Sequence, residues 1–194
     1  MRRVLVLVLL LVLAACSARA PAPWRTTDIS GANFGHSLAG LRDHRGKPTT
    51  LADFQGRAVL LFFGYTACPD VCPATLARYA AVMKALGAEA DRVQVLFVTL
   101  DPERDTPDKL AAYVTWFHPA FIGLYGDLAA TEAAAREFKV FFARSKSSVG
   151  IGYTIDHSAG AYAFDPAGRI RLYIKDDAPV EAIASDLRRL LAGQ

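Results

Sequence analysis

The sequence predicts an α/β protein built in three layers. Two continuous apolar runs, RAVLLFFGY at 57–65 and RVQVLFVTL at 92–100, have the composition of strands that are buried on both faces. Each run is followed by a segment with apolar residues at helical spacing, and the C-terminal part adds further strands and a last amphipathic helix. Strands that alternate with helices build a sheet that is covered by helices on both faces.

The first residues have the features of an export signal. Arg2 and Arg3 precede an apolar run that ends in small residues, and this run is well short of the ~20 residues that span a bilayer. Leu13-Ala14-Ala15-Cys16 resembles a bacterial lipobox. We therefore expect residues 1–15 to be removed as a lipoprotein-type signal peptide, and Cys16 to carry a lipid that anchors the protein to a membrane. The alternative is an ordinary secretory signal with an incidental Cys16.

Beyond the signal, we expect a tether and one folded domain. Residues 16–33 contain Pro, Ser and Gly without apolar periodicity, which is typical of a flexible segment. The predicted domain covers residues 34–194, and a turn-rich cluster at 43–47 predicts an N-terminal hairpin. The whole chain has 22 basic and 19 acidic residues and no basic stripe. We therefore expect no nucleic-acid partner, and we expect a monomer.

The remaining elements follow from local patterns. Thr106 and Pro107 are suited to the N-cap and first position of a helix. Asp165-Pro166-Ala167-Gly168 is typical of a hairpin turn between two strands. The predicted helices cover 73–87, 108–117, 127–142 and 178–193, and the predicted strands after residue 100 cover 121–126, 150–158, 160–165 and 168–174.

Two cysteines lie between the first apolar run and the helix that follows it. Cys68 and Cys72 have a Cys-x-x-x-Cys spacing, which is neither the redox Cys-x-x-Cys spacing nor a four-ligand zinc pattern. Residues i and i+4 of a first helical turn share one face, and the helix N-terminus favours thiolate over thiol. Asp70 could cap this helix. Both sulfurs can therefore reach one small ion, or each other as a disulfide.

Thiolates are soft ligands that suit Cu(I), and a thiolate set with an imidazole also accommodates Cu(II). Zinc in a structural site would require four protein ligands. The missing ligand should be one of four histidines, which are His36, His44, His118 and His157. We favour His157, because its loop follows a predicted strand and because Asp156 or Ser158 could orient its ring.

Four ordered blocks of the chain resemble the Sco/SenC family of copper chaperones. The resemblance runs from about residue 34 to 175 and rests on four quoted stretches, VLLFFGYTACPDVCPATL, VQVLFVTLDPERDTPDKLAAYV, FIGLYGD and YTIDHSAGAYAFDPAGR. It implies a thioredoxin-like fold with peroxiredoxin-like insertions. It also implies one copper ion, Cu(I) or Cu(II), held by Cys68, Cys72 and His157.

The resemblance further implies a place and a partner. Family members are anchored in membranes by a transmembrane helix or a lipid, which here would place the domain on the extracytoplasmic side of the bacterial envelope. They serve the dinuclear CuA centre of cytochrome c oxidase subunit II, by delivering copper or by reducing its thiols. The upstream copper donor is not indicated. Asp101, which ends the strand next to the one before the cysteines, is a further candidate beside the site.

Two other functions remain open at this point. A thiol–disulfide oxidoreductase that acts on exported cysteines would use the same pair at the same helix N-terminus. A structural disulfide in a binding module is the third reading, although the very small loop between Cys68 and Cys72 would constrain little of the unfolded chain. Only the reductase reading would make the protein an enzyme. The loop DPERDTP at 101–107 could line the site or could simply connect a strand to a capped helix.

Overall fold

The computed structural model describes residues 22–146 and 152–194. In these residues the strands are β1 (Thr27–Asp28), β2 (Arg42–Asp43), β3 (Ala58–Gly64), β4 (Val93–Thr99), β5 (Ile122–Tyr125), β6 (Phe142–Lys146), β7 (Tyr153–His157), β8 (Ala161–Phe164) and β9 (Ile170–Ile174). The helices are α1 (Val71–Leu86), α2 (Pro107–Phe117), α3 (Leu128–Glu137) and α4 (Val180–Leu191), and short 3-10 turns cover Leu51–Phe54 and Gly87–Arg92.

Seven strands form one mixed sheet in the order β1-β9-β8-β3-β4-β5-β2. β3, β4 and β5 run parallel at its centre, whereas β8 and β9 continue the sheet antiparallel on the other side of β3. Every residue of β3 and β4 is buried, as expected of strands that are covered on both faces. The carboxyl ends of the parallel strands form the edge on which the cysteine loop lies.

Helices cover both faces of this sheet. The Phe62 ring of β3 meets the Tyr79 ring of α1 with centroids 6.4 Å apart, while the next residue, Phe63, meets Phe138 at the end of α3 with centroids 5.3 Å apart. Successive side chains of a strand point to opposite faces, so α1 and α3 lie on different sides. α1 also contacts α2 and α4. The predicted three-layer α/β class is confirmed.

A strand after α3 was missed by sequence reasoning. The helix predicted over 127–142 ends at Glu137, and a strand begins at Phe142. Lys139 has a φ of 55°, a left-handed conformation that ends a helix and turns the chain away from its axis. β6 then pairs antiparallel with β7 in a separate two-stranded sheet.

The N-terminal hairpin was predicted only in part correctly. The turn at 43–47 forms, with the Asp43 N–H donating to the Lys47 carbonyl at 2.9 Å. However, the second arm of this turn makes a single bridge, between Arg42 and Pro48. β2 instead pairs antiparallel with β5 and ends the seven-stranded sheet. Pro48 begins the second arm and lacks an N–H group, so this arm has one fewer donor with which to pair.

The segment predicted as a tether is folded over its second half. β1 pairs with β9 at the edge of the sheet, so the folded part begins well before residue 34. The buried carboxylate of Asp186 in α4 accepts hydrogen bonds from the N–H groups of Arg25 and Thr26 and from the Thr26 hydroxyl, at 2.8–3.1 Å. A composition rich in Pro, Ser and Gly carried no sign of this distant carboxylate.

The predicted signal peptide and Cys16 lie outside the described residues, as do residues 17–21 of the expected tether. Among the helices of the described ranges, none combines the length and the apolar character needed to cross a bilayer.

Candidate metal centre

The fold brings Cys68, Cys72 and His157 together at the carboxyl end of β3. The three possible ligand atoms, two sulfurs and one imidazole nitrogen, all lie within 4.8 Å of one another. Cys68 lies in the loop after β3, Cys72 lies in the first turn of α1, and His157 ends β7. The two cysteines are not bonded to each other. The arrangement matches the three residues that the sequence analysis selected.

Cys68 lies at the N-terminus of α1. Its sulfur accepts a hydrogen bond from the Cys72 N–H, with 3.5 Å between the nitrogen and the sulfur. The side chain is partly exposed, so it is the sulfur that solvent and other molecules can reach. Asp70 is the N-cap residue, as predicted, but its side chain makes no capping hydrogen bond. At this helix end it is therefore the Cys68 sulfur, and not a capping carboxylate, that accepts the Cys72 N–H.

Cys72 is buried, with an exposed fraction of 0%. Its sulfur packs against the backbone of Gly64, where a Cβ atom would come within 2.8 Å of both the Cys72 sulfur and the Phe97 ring. A side chain at this position would displace the sulfur or the ring. Glycine at the end of β3 is thus a requirement of the site, and it was not recognised in the sequence.

The two thiols differ in acidity because they share one proton. The S–H of Cys72 donates to Cys68, and together with hydrogen bonds from the helix backbone this holds the pKa of Cys68 well below its ordinary value. The same hydrogen bond, followed by burial, raises the pKa of Cys72. In the metal-free protein, Cys68 is the thiolate and Cys72 the thiol.

His157 presents one nitrogen to the cysteines. Its Nδ1 lies 2.9 Å from the backbone carbonyl of Ser158, and its Nε2 lies 3.5 Å from the Cys72 sulfur. Because a carbonyl only accepts, Nδ1 carries the proton of the neutral ring, and the Nε2 lone pair faces the sulfurs. The rings of Phe62 and Tyr65 meet the imidazole edge-on at about 6 Å.

The prediction that Asp156 orients this ring is wrong. Asp156 is exposed and its carboxylate accepts a hydrogen bond from the Ser145 hydroxyl on β6. Neighbouring residues of a strand point to opposite faces, so Asp156 cannot face the imidazole of His157. Ser158 does orient the ring, but through its backbone carbonyl.

The other three histidines lie elsewhere. The Nδ1 of His44 accepts from the Gly123 N–H at 3.0 Å, and the Nδ1 of His118 accepts from the Ala120 N–H at 3.2 Å. His36 is exposed. Two sulfurs and one imidazole nitrogen remain as the donor set. These ligands suit copper in either oxidation state, whereas structural zinc requires four.

A sequence model of one family, SCO1/SenC, matches residues 31–192. The chain belongs to the SCO1/SenC family. The predicted resemblance is thereby confirmed.

Individual SCO1/SenC relatives agree. The chain is 37% identical over 170 residues to the mitochondrial SCO2 homolog of Mus musculus, which covers 87% of this chain and 67% of that protein. The SCO2-like protein of Rickettsia felis is 34% identical over 143 residues, covering 73% of this chain and 70% of that protein. The bovine and human SCO2 homologs are covered over 64% of their length.

Solved structures of the family have the same fold. Bradyrhizobium japonicum ScoI with copper bound superposes with a TM-score of 0.73 at 36% identity, covering 82% of this chain and 99% of that one. The apo Sco1 protein of Thermus thermophilus gives a TM-score of 0.73 at 34% identity, covering 88% and 99%. The thioredoxin-like fold expected from the sequence is confirmed.

In this SCO1/SenC protein, Asp101 is linked to the three ligand atoms through Tyr153, which lies on the same strand as His157. It is fully buried, ion-paired with Arg104, and accepts a hydrogen bond from the Tyr153 hydroxyl at 2.7 Å. Tyr153 begins β7, the strand that ends at His157. Asp101 therefore contacts the His157-bearing strand and not the sulfurs.

Asp105 organises the start of the cysteine loop, a role that was not predicted when the 101–107 loop was considered in the sequence. Its carboxylate accepts from the N–H and the hydroxyl of Thr66 at 3.0 and 2.6 Å, and from the Thr99 hydroxyl at 2.6 Å. The side chain is buried, and it ties the loop before Cys68 to the end of β4. A carboxylate just before the N-cap Thr106, after a buried strand, was the available signal.

We expect Asp105→Ala to lower the free energy of unfolding by about 2–4 kcal/mol, because three donors lose their acceptor and the partly buried Thr66 N–H is left unpaired. Asp108→Ala, an exposed position in the first turn of α2, is the matched control and should change stability by less than about 0.5 kcal/mol. Urea denaturation measures both. Equal effects at the two positions would contradict the role assigned to Asp105.

The unequal thiols should also react unequally. In a reduced protein that carries Cys16→Ser, iodoacetamide at pH 6 should label Cys68 before Cys72, because Cys68 is the exposed thiolate and Cys72 is a buried thiol. The preference should persist as the pH rises towards the ordinary thiol pKa, because the pKa of Cys72 is raised above that value and its sulfur is buried. Mass spectrometry of quenched digests reads out the two sites. Labelling of Cys72 first would show that the assignment is wrong.

Proposed function

We propose that this protein is a copper chaperone that binds one copper ion through the sulfurs of Cys68 and Cys72 and the Nε2 of His157. The observation that supports it most is the convergence of these three atoms within 4.8 Å at the open end of the sheet. A relative that is 36% identical, B. japonicum ScoI, has been solved with copper bound. Copper is here a cargo, so the site must both hold and release it.

The residues divide this task. Cys68 is partly exposed, which allows the thiolate of an acceptor to approach the metal and replace the ligands one at a time. Two thiolates satisfy Cu(I), and the imidazole adds the nitrogen ligand that Cu(II) prefers. Oxidation of the thiolate–thiol pair to a disulfide by an electron acceptor, such as an oxidised thiol partner, transfers two electrons, releases one proton and removes both sulfur ligands. Copper loading and the redox state of the pair are therefore coupled.

The acceptor in this proposal is the CuA centre of cytochrome c oxidase subunit II. We further propose that Cys16 carries a lipid and anchors the protein, with its domain on the extracytoplasmic side of the membrane. The lipobox-like sequence before Cys16 supports the anchor. The SCO1/SenC family membership supports the oxidase assembly role. The domain would reach its partner from the membrane surface in which the oxidase lies.

A thiol–disulfide reductase is the second candidate function, and one observation favours it. A partly exposed thiolate at Cys68 beside a buried thiol at Cys72 is the arrangement of an attacking and a resolving cysteine. Such a pair could reduce oxidised cysteines of an exported protein, including the CuA ligands. The attack forms a mixed disulfide at Cys68, and Cys72 then releases the reduced product as the Cys68–Cys72 disulfide closes.

Copper titration distinguishes the two candidates. The reduced protein with Cys16→Ser should bind one equivalent of copper under anaerobic conditions, and a variant that also carries Cys68→Ser and Cys72→Ser should bind none at this site. His157→Ala should weaken Cu(II) binding at least tenfold and leave Cu(I) binding nearly unchanged. His36→Ala, at an exposed histidine, is the matched control and should behave as the parent protein.

Two outcomes would overturn the copper proposal. One is an unchanged stoichiometry when both cysteines are replaced. The other is a reducing activity that persists in His157→Ala while the parent protein binds no copper, which would favour the reductase.

A further inference from the structure

The strand that carries His157 is not part of the main sheet. Among the described residues, β6 and β7 hydrogen-bond to each other, and their backbones make no ladder with the seven-stranded sheet. The cysteines, by contrast, follow β3, the centre of that sheet. The position of the imidazole relative to the sulfurs therefore depends on side-chain contacts between β7 and the rest of the domain.

Arg104 makes several of these contacts. Its guanidinium lies 3.7 Å from the centre of the Tyr153 ring, and its Nη1 donates to the Tyr153 carbonyl at 2.9 Å. Its Nε donates to the buried carboxylate of Asp101, which also accepts from the Tyr153 hydroxyl. The guanidinium further lies 5.9 Å from the ring of Tyr65, at the start of the cysteine loop. Arg104 thus joins the cysteine side of the site to β7.

The contacts of Arg104 and Asp101 hold the face of β7 from which His157 extends. Tyr153, Ile155 and His157 alternate along the strand and share one face. Ile155 packs into the core, and Tyr153 is held by Arg104 and Asp101. A displacement of Tyr153 would move the end of this face at which His157 meets Cys72. In the described residues, the Arg104 guanidinium donates hydrogen bonds to Asp101 and Tyr153 and to neither sulfur.

We propose that Arg104 is a positioning residue that holds the His157 strand against the cysteine loop, and so sets how strongly the site prefers Cu(II) relative to Cu(I). The inference rests on the proposed copper-binding function. Cu(II) binding uses the imidazole, so it depends on Arg104. Cu(I) binding uses the two sulfurs, which the main sheet holds independently.

The chain offers a matched control for Arg104. Arg189 also lies over an aromatic ring, that of Trp24 at 4.1 Å, and also donates to backbone carbonyls, those of Ala22 and Pro23. It fastens the N-terminal segment to α4, far from His157 in the fold. Both arginines stabilise a peripheral segment, but only one of these segments carries a proposed ligand.

Chelator competition against Cu(II) and Cu(I) tests the proposal on the reduced protein with Cys16→Ser. Arg104→Gln should weaken Cu(II) binding at least tenfold, shift the Cu(II)–thiolate absorption band, and change Cu(I) binding less than threefold. Arg189→Gln should leave the ratio of the two affinities unchanged. Combined with His157→Ala, Arg104→Gln should cause no further loss of Cu(II) affinity, because both changes act on the same ligand.

Arg104→Lys and Tyr153→Phe are milder variants that keep the proposal testable if Arg104→Gln fails to fold. Lysine keeps the charge next to Asp101 but lacks the planar group that stacks and donates in two directions. Phenylalanine keeps the ring but loses the hydroxyl that Asp101 accepts. Each should weaken Cu(II) binding more than Cu(I) binding, and by less than Arg104→Gln does.

A metal-free measurement separates this proposal from the proposed function. In the copper-free protein, Arg104→Gln should speed amide hydrogen exchange in β7 and leave β3 and β4 protected, while Arg189→Gln should speed exchange only near β1. Unchanged exchange in β7 would overturn the positioning role. An equal loss of Cu(I) and Cu(II) affinity in Arg104→Gln would also overturn it, as would a full loss of Cu(II) affinity when Arg104→Gln is added to His157→Ala. If the parent protein bound no copper, the proposed copper-binding function would be wrong. The exchange data would still test whether Arg104 positions β7.

Discussion

The approach of the His157 imidazole to the Cys72 sulfur is the contact on which the rest of the site depends. The two residues are 85 positions apart in the chain, and their Nε2 and Sγ atoms lie 3.5 Å apart. One belongs to the helix that follows the central strand, and the other to a strand outside the main sheet. Everything else in the site either buries Cys72 or brings His157 to it. Without this contact, the site would offer two sulfurs and no imidazole nitrogen.

Three residues maintain the contact between His157 and Cys72, and each does so for a simple physical reason. Gly64 leaves the space that the Cys72 sulfur occupies. Asp105 gathers three donors and fixes the loop before Cys68 to β4. Arg104 holds β7 through an ion pair, a backbone hydrogen bond and a stacked ring. Buried carboxylates are stable in such positions only when they accept hydrogen bonds, and both Asp101 and Asp105 do.

The sequence allowed the α/β class, the two strands buried on both faces and the three candidate ligands to be predicted, because the apolar runs and the cysteine spacing are local patterns and because the SCO1/SenC resemblance adds His157. It did not allow β6 to be predicted, since the left-handed turn at Lys139 is one backbone conformation in a segment of good helix formers. The role of Asp105 was missed because its partners, Thr66 and Thr99, come from other elements. The folded N-terminal segment was missed for the same reason, since its acceptor, Asp186, lies in the last helix.

The central claim is that one copper ion takes two sulfurs and one nitrogen from this chain. X-ray absorption at the copper edge of the Cu(II)-loaded protein with Cys16→Ser tests it most directly, with His157→Ala measured beside it. The account predicts two sulfur ligands and at least one imidazole nitrogen in the parent protein, and loss of one imidazole with both sulfurs retained in the variant. Coordination without sulfur, or a spectrum that His157→Ala leaves unchanged, would contradict it.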